Sequence, residues 1–244
     1  MPSESAPYDR DVAYVHSSGY SDIMLPAARE VIQQLRQRNL HEGTIIDLGC
    51  GGGQAAAAYA AAQYDVIGVD LSPAMIDLAR QAVNEARFEV GSWNDWPLPS
   101  CVAITALGEI FCYLSPGVEP RVSLPSFFAS AHAALLPGGL LAFDVGEIGM
   151  GRGAVRNWTS GDDWYCLVDY AYDEGNDQLA RHITTFRQEG ELYRRRHETH
   201  RQQLFAAVEI QNWLEQVGFQ VAMAQRLDEF VPLPNRALFF ATKV

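Results

Sequence analysis

The chain has 244 residues, 48% of them hydrophobic, enough for one large domain or two small ones with a sizeable core. Its formal net charge of -12 argues against nucleic-acid binding, because phosphate repulsion would have to be overcome. No 18-residue apolar span and no basic-plus-apolar leader occur, and the four cysteines lack CxxC spacing. We therefore expect a soluble cytoplasmic protein with free thiols and no membrane partner.

Residues 1–40 are predicted to form an N-terminal cap followed by one helix. Apolar positions between 24 and 35 fall on one helical face, with Ser21 or Asp22 as the N-cap and an end near Asn39. His16 and Tyr20 precede that helix. They can reach a ligand or simply anchor the segment on the surface, and the sequence leaves both readings open.

A glycine-rich turn follows the first predicted strand. The strand, Thr44–Leu48, is a short apolar run, and four of the next five residues, Gly49 to Gly53, are glycine. An alanine-rich helix is predicted over residues 55–62. Glycine permits a sharp turn and close approach of a ligand to the main chain, and the helix N-terminus points at the same place. The pattern predicts a nucleotide-binding corner.

The corner lacks the residues of the two familiar phosphate-binding loops. Gly49 and Gly51 match a dinucleotide fingerprint, but Gln54 stands at its third glycine, and no lysine is placed for a P-loop. Asp47 in the strand suits a ligand with a cationic end. The stretch 46–53, Ile-Asp-Leu-Gly-Cys-Gly-Gly-Gly, resembles the first motif of class I S-adenosylmethionine-dependent methyltransferases. A turn that merely connects strand and helix is the alternative.

The second predicted strand, residues 64–69, ends at Asp70, a carboxylate that can accept both hydroxyls of a ribose. Ser72 caps the next helix and Pro73 opens it. The stretch 66–75 resembles the corresponding methyltransferase segment. The resemblance implies S-adenosylmethionine as the cofactor, with contacts from Asp47, Gly49, Cys50, Gly51, Gln54, Asp70, Leu71 and Met75. Asp70 as a surface residue at a strand end is the alternative.

The next two strands complete the cofactor site that the resemblance implies. After the third strand, residues 87–91, adenine contacts are expected from Gly91, Ser92 and Trp93, although Trp93 equally suits the core. The fourth strand, residues 102–107, is apolar throughout, and the residues that follow it are expected at the crevice where strand order reverses. The cofactor set then also includes Leu107, Gly108, His16 and Tyr20.

Candidate catalytic residues lie at this crevice and in an insertion. Glu109 and Tyr113 follow the fourth strand, where a methyl acceptor would meet the cofactor, and Glu109 can alternatively touch the cofactor's ammonium group. Strand-like segments 163–173, 178–187 and 192–203 predict a three-stranded antiparallel insertion over the crevice mouth. His182, in its second strand, is the third candidate. His16, His197 and His200 are further possible bases, and a carboxylate acceptor would need none.

The remaining segments complete an α/β Rossmann-like fold. A helix over 122–136 ends at Pro137-Gly138-Gly139 before a fifth strand at 140–145, and a helix over 206–217 precedes strands at 219–224 and 237–242. The resemblance implies a seven-stranded sheet of order 3-2-1-4-5-7-6 with strand seven antiparallel, helices on both faces and the small β insertion after strand five. We predict one domain, 1–244, comprising the cap 1–40, a cofactor-binding core 41–147, the insertion or substrate lid 154–203 and a C-terminal part 204–244.

The leading hypothesis is a methyltransferase that moves a methyl group by in-line displacement to an oxygen or nitrogen of a small molecule. A nicotinamide-dependent oxidoreductase shares the corner and Asp70, but Gln54 speaks against it. A non-catalytic S-adenosylmethionine-binding protein would share the cofactor site. No metal ligands are predicted. The acceptor, the general base, metal dependence and the choice between monomer and homodimer stay open.

Overall fold

A seven-stranded sheet is the centre of the fold in the computed structural model, which describes residues 8–20, 23–115, 117–153, 155–224 and 235–244. Five strands come from the first part of the chain and two from its end. They are β1 Thr44–Leu48, β2 Asp65–Asp70, β3 Arg87–Val90, β4 Cys101–Ala106, β5 Leu135–Gly146, β10 Phe219–Ala224 and β11 Arg236–Lys243.

The strand order is β3-β2-β1-β4-β5-β11-β10, with β11 antiparallel to both of its neighbours. Once the insertion strands are left out of the count, this is the order 3-2-1-4-5-7-6, and the fold prediction is confirmed. Strand order reverses between β1 and β4, which are parallel neighbours. A ligand crevice is expected there, at the carboxyl ends of the strands.

Helices cover both faces of the sheet because successive strand residues point to opposite sides. Ile45 packs in a cluster with α2 (Leu25–Gln37), α3 (Gln54–Ala61) and α4 (Pro73–Ala82). Ile46 packs in a second cluster with α5 (Pro120–Ala134) and α6 (Ala207–Val217). Burial on both faces explains why these strands are continuously apolar. None of the helices in the described ranges combines the length and apolarity that a membrane crossing requires.

Helix starts were predicted with mixed success. Ser72 is the N-cap of α4, with its hydroxyl accepting from the Met75 N–H at 3.2 Å, and Pro73 is the first helical residue, as predicted. The proposed caps of α2, Ser21 and Asp22, lie outside the described residues, and α2 has Met24 at its N-cap position without a side-chain bond.

An additional helix, α1 (Arg10–Gly19), was not predicted. The side chain of Asp9 caps it by accepting from the N–H groups of Asp11 and Val12. Val12 and Val15 form its buried side and pack against Trp164 and Ile183 of the insertion. Ten residues are too few to form a stable helix alone, so packing decides the conformation here.

The insertion has four antiparallel strands where three were predicted. They follow the order β6 (Arg156–Ser160), β7 (Trp164–Asp173), β8 (Gln178–Glu189) and β9 (Leu192–Gln203). The missed strand, β6, is a short and mostly exposed edge strand, so its residues show no apolar alternation. The predicted helix stop was also wrong: α5 ends at Ala134, and Pro137, Gly138 and Gly139 lie within β5 beside a register shift.

Charged contacts fasten the N-terminal helix to the insertion. The carboxylate of Asp11 is only 2% exposed and receives two bonds from the Arg194 guanidinium, at 2.6 and 2.7 Å. Glu198 on β9 accepts from the backbone N–H groups of Tyr8 and Asp9. The Arg194 bonds, together with nearby Arg187, lower the pKa of Asp11, so its charged form stabilises the attachment.

We expect Asp11→Asn to lower the free energy of unfolding by about 1.5–3 kcal/mol at neutral pH, the usual value of hydrogen bonds to a charged group. Because the folded pKa is depressed, this contribution is complete above the ordinary pKa of 3.8 and disappears as pH falls below it. Denaturant unfolding at several pH values measures it. Asp169→Asn, which breaks the exposed pair with Arg156, is the control and should cost under about 0.5 kcal/mol. Equal effects of the two substitutions would contradict the assignment.

Candidate active site

A cavity of about 300 Å³ lies where the sheet order reverses. Its floor is the glycine turn after β1 and the residues that follow β2 and β4. Its walls are the N-terminal segment with α1 and the inner face of the insertion. The carboxyl edge of the sheet, helix α1 and the β insertion therefore meet at one concave site. Such a site is the usual setting for a small ligand.

The glycines of the turn have two different reasons to be glycine. Gly49 and Gly51 both adopt positive φ, +65° and +53°. A Cβ at Gly49 would overlap the side chain of Ile110, whereas a Cβ at Gly51 would meet no protein atom within 4 Å. Packing therefore requires Gly49, while Gly51 presents open main chain at the cavity.

Asp70 ties the end of β2 to this turn. One carboxylate oxygen accepts from the Gly51 N–H at 3.0 Å and the other from the Ser72 N–H at 2.8 Å. Burial raises the pKa of Asp70, and these two bonds oppose that effect by favouring the charged form. The carboxylate is therefore fixed in orientation at the cavity, with lone pairs left for a ligand.

Asp47 is a buried carboxylate with one oxygen left over. Its Oδ1 accepts from the Thr105 hydroxyl at 2.7 Å, and its Oδ2 is buried without a hydrogen-bond partner in the described part of the chain. Burial raises the pKa of Asp47 to about 7. A cationic ligand group would both satisfy Oδ2 and stabilise the ionised form.

Glu109 is the centre of a buried charge network. It is fully buried at a positive φ of +62°, and its carboxylate contacts Arg181 at 2.5 Å, Arg236 at 2.9 Å and the Gln202 amide at 3.1 Å. Burial alone would raise the pKa of Glu109, but the two guanidinium groups hold it below its ordinary value. The carboxylate is therefore a poor proton acceptor, which argues against the predicted role of Glu109 as a base.

Two tyrosines place their hydroxyls together at the cavity. The Tyr8 and Tyr113 oxygens are 2.9 Å apart, and burial raises the pKa of both groups. His16 lies beside them, 5.2 Å from Tyr8 between ring centres. Burial and the neighbouring His200 lower the pKa of His16 to about 4, so its ring is neutral at pH 7. The cavity thus offers uncharged donor and acceptor groups at this end.

Most of the residues predicted from the sequence line this cavity. They are His16, Tyr20, Asp47, Gly49, Cys50, Gly51, Gln54, Asp70, Met75, Leu107, Gly108, Glu109 and Tyr113. Their convergence follows from the topology. All but the N-terminal pair, Met75 and Tyr113 belong to the glycine turn and helix α3 or lie at or just beyond the ends of β1, β2 and β4, and Met75 lies in the first turn of α4 after β2. Individual contacts to a ligand stay predictions.

Five predicted residues do not line the cavity. Leu71 is 38% exposed, and Trp93 packs in the core against Phe111 and Phe127. After β3, the Gly91 N–H donates to the Asp70 carbonyl on β2, and the Ser92 oxygens accept from local backbone N–H groups. His182 is on the outer face of the insertion, bonded to Thr199. The alternation of side chains along a strand predicted which residues share a face with His182. It could not tell that the opposite face, which carries Arg181 and Ile183, points into the cavity.

Five polar residues of the cavity were not predicted: Tyr8, Asn157, Tyr170, Arg181 and Arg236. The segment 181–201 carries six arginines, and such a basic run usually marks a solvated strand face, so Arg181 was not singled out. The signal that could have found it was the pair of apolar residues Leu179 and Ile183, which share a face of β8 with Arg181. Among the described residues, no group of three or more His, Cys, Asp or Glu side chains is arranged to hold a metal ion.

The comparisons with known proteins agree on a methyltransferase domain. Residues 45–139 match the family model of a methyltransferase domain. The chain is 27% identical over 218 residues to the protein YqeM of Bacillus subtilis (strain 168), which is named as a methyltransferase, and the match covers 84% of this chain and 85% of YqeM.

Solved structures share the fold over nearly the whole chain. The chain is similar to CalS10 of Micromonospora echinaspora, described as an amino pentose methyltransferase with bound S-adenosylmethionine, with a TM-score of 0.75, 19% identity and 99% coverage of both chains. It is also similar to the sugar N-methyltransferase KedS8 of Streptoalloteichus sp ATCC 53650, with a TM-score of 0.77, 18% identity and coverage of 100% and 96%.

We expect Glu109→Gln to lower the free energy of unfolding by about 3–5 kcal/mol, because it leaves the buried guanidinium group of Arg181 without a carboxylate partner, while Arg236 keeps Asp144. Denaturant unfolding measures the loss. Glu174→Gln, which removes an exposed partner of Arg152, is the control and should change stability by less than about 0.5 kcal/mol. A Glu109→Gln variant as stable as the wild type would contradict the energetic role of this buried charge network.

Proposed function

Since the chain belongs to the class I S-adenosylmethionine-dependent methyltransferases, we propose that it methylates an oxygen or nitrogen of a small molecule held in this cavity. The observation that carries the proposal is the Tyr8–Tyr113 hydroxyl pair, which lies in the same cavity as the glycine turn. A donor site and a site for a protic acceptor are thereby side by side.

The residues present fit S-adenosylmethionine. The unpartnered oxygen of Asp47 suits its ammonium group, and the fixed carboxylate of Asp70 suits its ribose. Open main chain at Gly51 suits close approach of the ligand. We propose that His16, Tyr20, Cys50, Gln54, Met75, Leu107 and Gly108 complete the contacts, since they line the same cavity.

The cofactor supplies a methyl group already activated on a positively charged sulfur. The protein then has to align the acceptor with it and exclude water, and alignment of this kind is worth about 7–11 kcal/mol. The insertion and α1 cover the cavity from the side opposite the sheet. A hydroxyl or amine acceptor must also lose a proton, for which the protein needs a nearby acceptor.

Charges at the cavity favour a hydroxyl or amine acceptor over a carboxylate. Arg181 and Arg236 line the cavity, but Glu109 and Asp144 already neutralise them. The acidic groups Asp47 and Asp70 add negative charge. Among the described lining residues, no guanidinium is left free of an ion pair for an anionic acceptor. The names of CalS10 and KedS8, which refer to amino pentose and sugar N-methylation, support the same choice.

Transfer of labelled methyl from S-adenosylmethionine into a protein-free metabolite extract tests the function, followed by a matched set of glucosamine, glucose and glucuronate. We expect a labelled small molecule and a preference for amine or hydroxyl over carboxylate acceptors. The double variant Tyr8→Phe/Tyr113→Phe should retain donor binding and lose transfer. Donor binding without transfer to any metabolite would identify a non-catalytic binder instead.

Cofactor affinity should depend on pH through Asp47. The cofactor's ammonium group favours the ionised carboxylate, so the pKa of Asp47 falls from about 7 when the ligand binds. Affinity for S-adenosylhomocysteine is then highest above about pH 7 and decreases as the pH falls, and the decrease approaches about tenfold per pH unit. Calorimetry between about pH 8 and about pH 5.5 measures it. Asp47→Asn should bind more weakly and lose the dependence, and an unchanged slope in that variant would contradict the role.

Gly51→Val should lower affinity for S-adenosylhomocysteine by at least about tenfold, because its side chain occupies space that the ligand needs. The positive φ also costs about 1–2 kcal/mol of stability. Gly190→Val is a matched control, since Gly190 has φ +64° and no atom within 4 Å of its Cβ but lies in the β8–β9 turn. The Gly190→Val variant should lose a similar amount of stability and bind S-adenosylhomocysteine with wild-type affinity. Equal affinities of the two variants would refute the assignment of Gly51.

A further inference from the structure

We propose that the insertion binds a second copy of this chain through the side of its sheet that faces away from the cavity, so that the protein is a dimer. We call this side the outer sheet face. Its large apolar members are Trp158, Tyr165, Leu167, Phe186 and Tyr193. The contact is independent of the proposed function, because it uses none of the residues that line the cavity.

The strand register places these five side chains on one side of the sheet. Leu167 pairs with Trp158 on β6, and Tyr165 pairs with Phe186 on β8. Residues that lie directly opposite one another on neighbouring strands point to the same side. The ring of Tyr193 lies 5.9 Å from that of Tyr165, between centres. The other side of the sheet packs on α1 and lines the cavity, so one side is covered and the other is not.

The outer sheet face is more apolar than contact with water requires. Trp158 is 73% exposed, and Tyr165, Leu167 and Tyr193 are between 43% and 47% exposed. An antiparallel sheet with one side in water normally places polar residues on that side. Large apolar side chains that are exposed together mark a surface that binds another protein.

The pattern of residues fits a second copy related by a two-fold axis that runs along the strands, between β7 and β8. Such an axis lays β7 of one copy over β8 of the other, so each β7 residue lies over the second copy of its own cross-strand partner. The facing pairs are Tyr165 with Phe186, Asp169 with His182 and Ala171 with Ala180. Aromatic rings thus meet aromatic rings, a carboxylate meets an imidazole, and small residues meet small residues.

Charge also favours this face as the place where two copies meet. The chain has a net charge of -12, so two copies repel each other over most of their surface. The outer sheet face lacks this negative excess, because its cross-strand rows carry more arginine than aspartate. The charged residues are Arg156, Arg195, Arg201, Asp169 and Asp173.

The outer sheet face is large enough for a stable contact. Four strands about 4.8 Å apart, over eight residues of about 3.4 Å each, cover roughly 500 Å² of flat area. Protruding side chains add accessible area to this flat value. The total therefore approaches the roughly 800 Å² per partner that a standard protein interface buries.

The mass of the full chain in solution tests the proposal first. Sedimentation at micromolar concentration should give twice the 27.0 kDa of one chain. The double variant Trp158→Glu/Leu167→Glu should raise the dimer Kd by at least about 100-fold, because the dimer would bury unpaired carboxylates. It should keep wild-type affinity for S-adenosylhomocysteine, since neither residue lines the cavity.

Val122→Glu/Val208→Glu is the matched control. It adds the same charge at two exposed apolar positions on α5 and α6, 69% and 63% exposed, and should leave the dimer intact. A wild type that sediments as one chain would overturn the proposal. A dimer that survives Trp158→Glu/Leu167→Glu, or that is lost equally in the control, would overturn it too.

A distance between labels tests the two-fold axis. A nitroxide on Arg195→Cys is selective, because the four native cysteines are buried. The axis puts the two β9 strands at opposite edges of facing sheets, which predicts an inter-chain label distance of about 15–30 Å. A distance above about 40 Å would place the contact elsewhere and overturn the proposal. A dimer that methylates no acceptor would count against the proposed function alone.

Discussion

The buried contact of Glu109 with Arg181 and Arg236 holds the functional half of the molecule together. Glu109 follows β4 of the sheet, Arg181 belongs to β8 of the insertion, and Arg236 begins β11. One carboxylate therefore joins three separate parts of the chain at the edge where the cavity opens. Because removal of any partner leaves a buried charge, this arrangement fixes the insertion over the sheet.

The cavity combines groups of different chemistry. Gly51, Asp70 and Asp47 offer bare main chain and carboxylates to a polar, partly cationic ligand. Tyr8 and Tyr113 offer hydroxyl groups. The guanidinium groups at the cavity are neutralised by ion pairs, which keeps the site from attracting anions. This combination matches a reaction that joins a charged methyl donor to a protic acceptor.

The sequence was most informative where backbone chemistry dictates structure. A run of glycines after an apolar strand has few interpretations, and the acid that ends β2 follows from the same unit, so the floor of the cavity was predictable. The sheet order was predictable only through the resemblance to class I methyltransferases. The position of His182 was not predictable, since alternation along a strand tells which residues share a face and leaves open which face is inward. Trp93 lies in the loop after β3, and its packing depends on the distant residues Phe111 and Phe127. The pairing of Glu109 with Arg181 joins residues 72 positions apart, and no local pattern encodes it. Helix α1 depends in the same way on contacts with distant strands.

A crystal structure with S-adenosylhomocysteine bound would test the central claim most directly, namely that one cavity holds the donor against the glycine turn and presents its sulfur to the tyrosine pair. The account predicts an amino group at hydrogen-bonding distance from Asp47 Oδ2, a ribose at Asp70 and a sulfur facing Tyr8 and Tyr113. A ligand bound elsewhere, or one whose sulfur faces away from both hydroxyls, would contradict it.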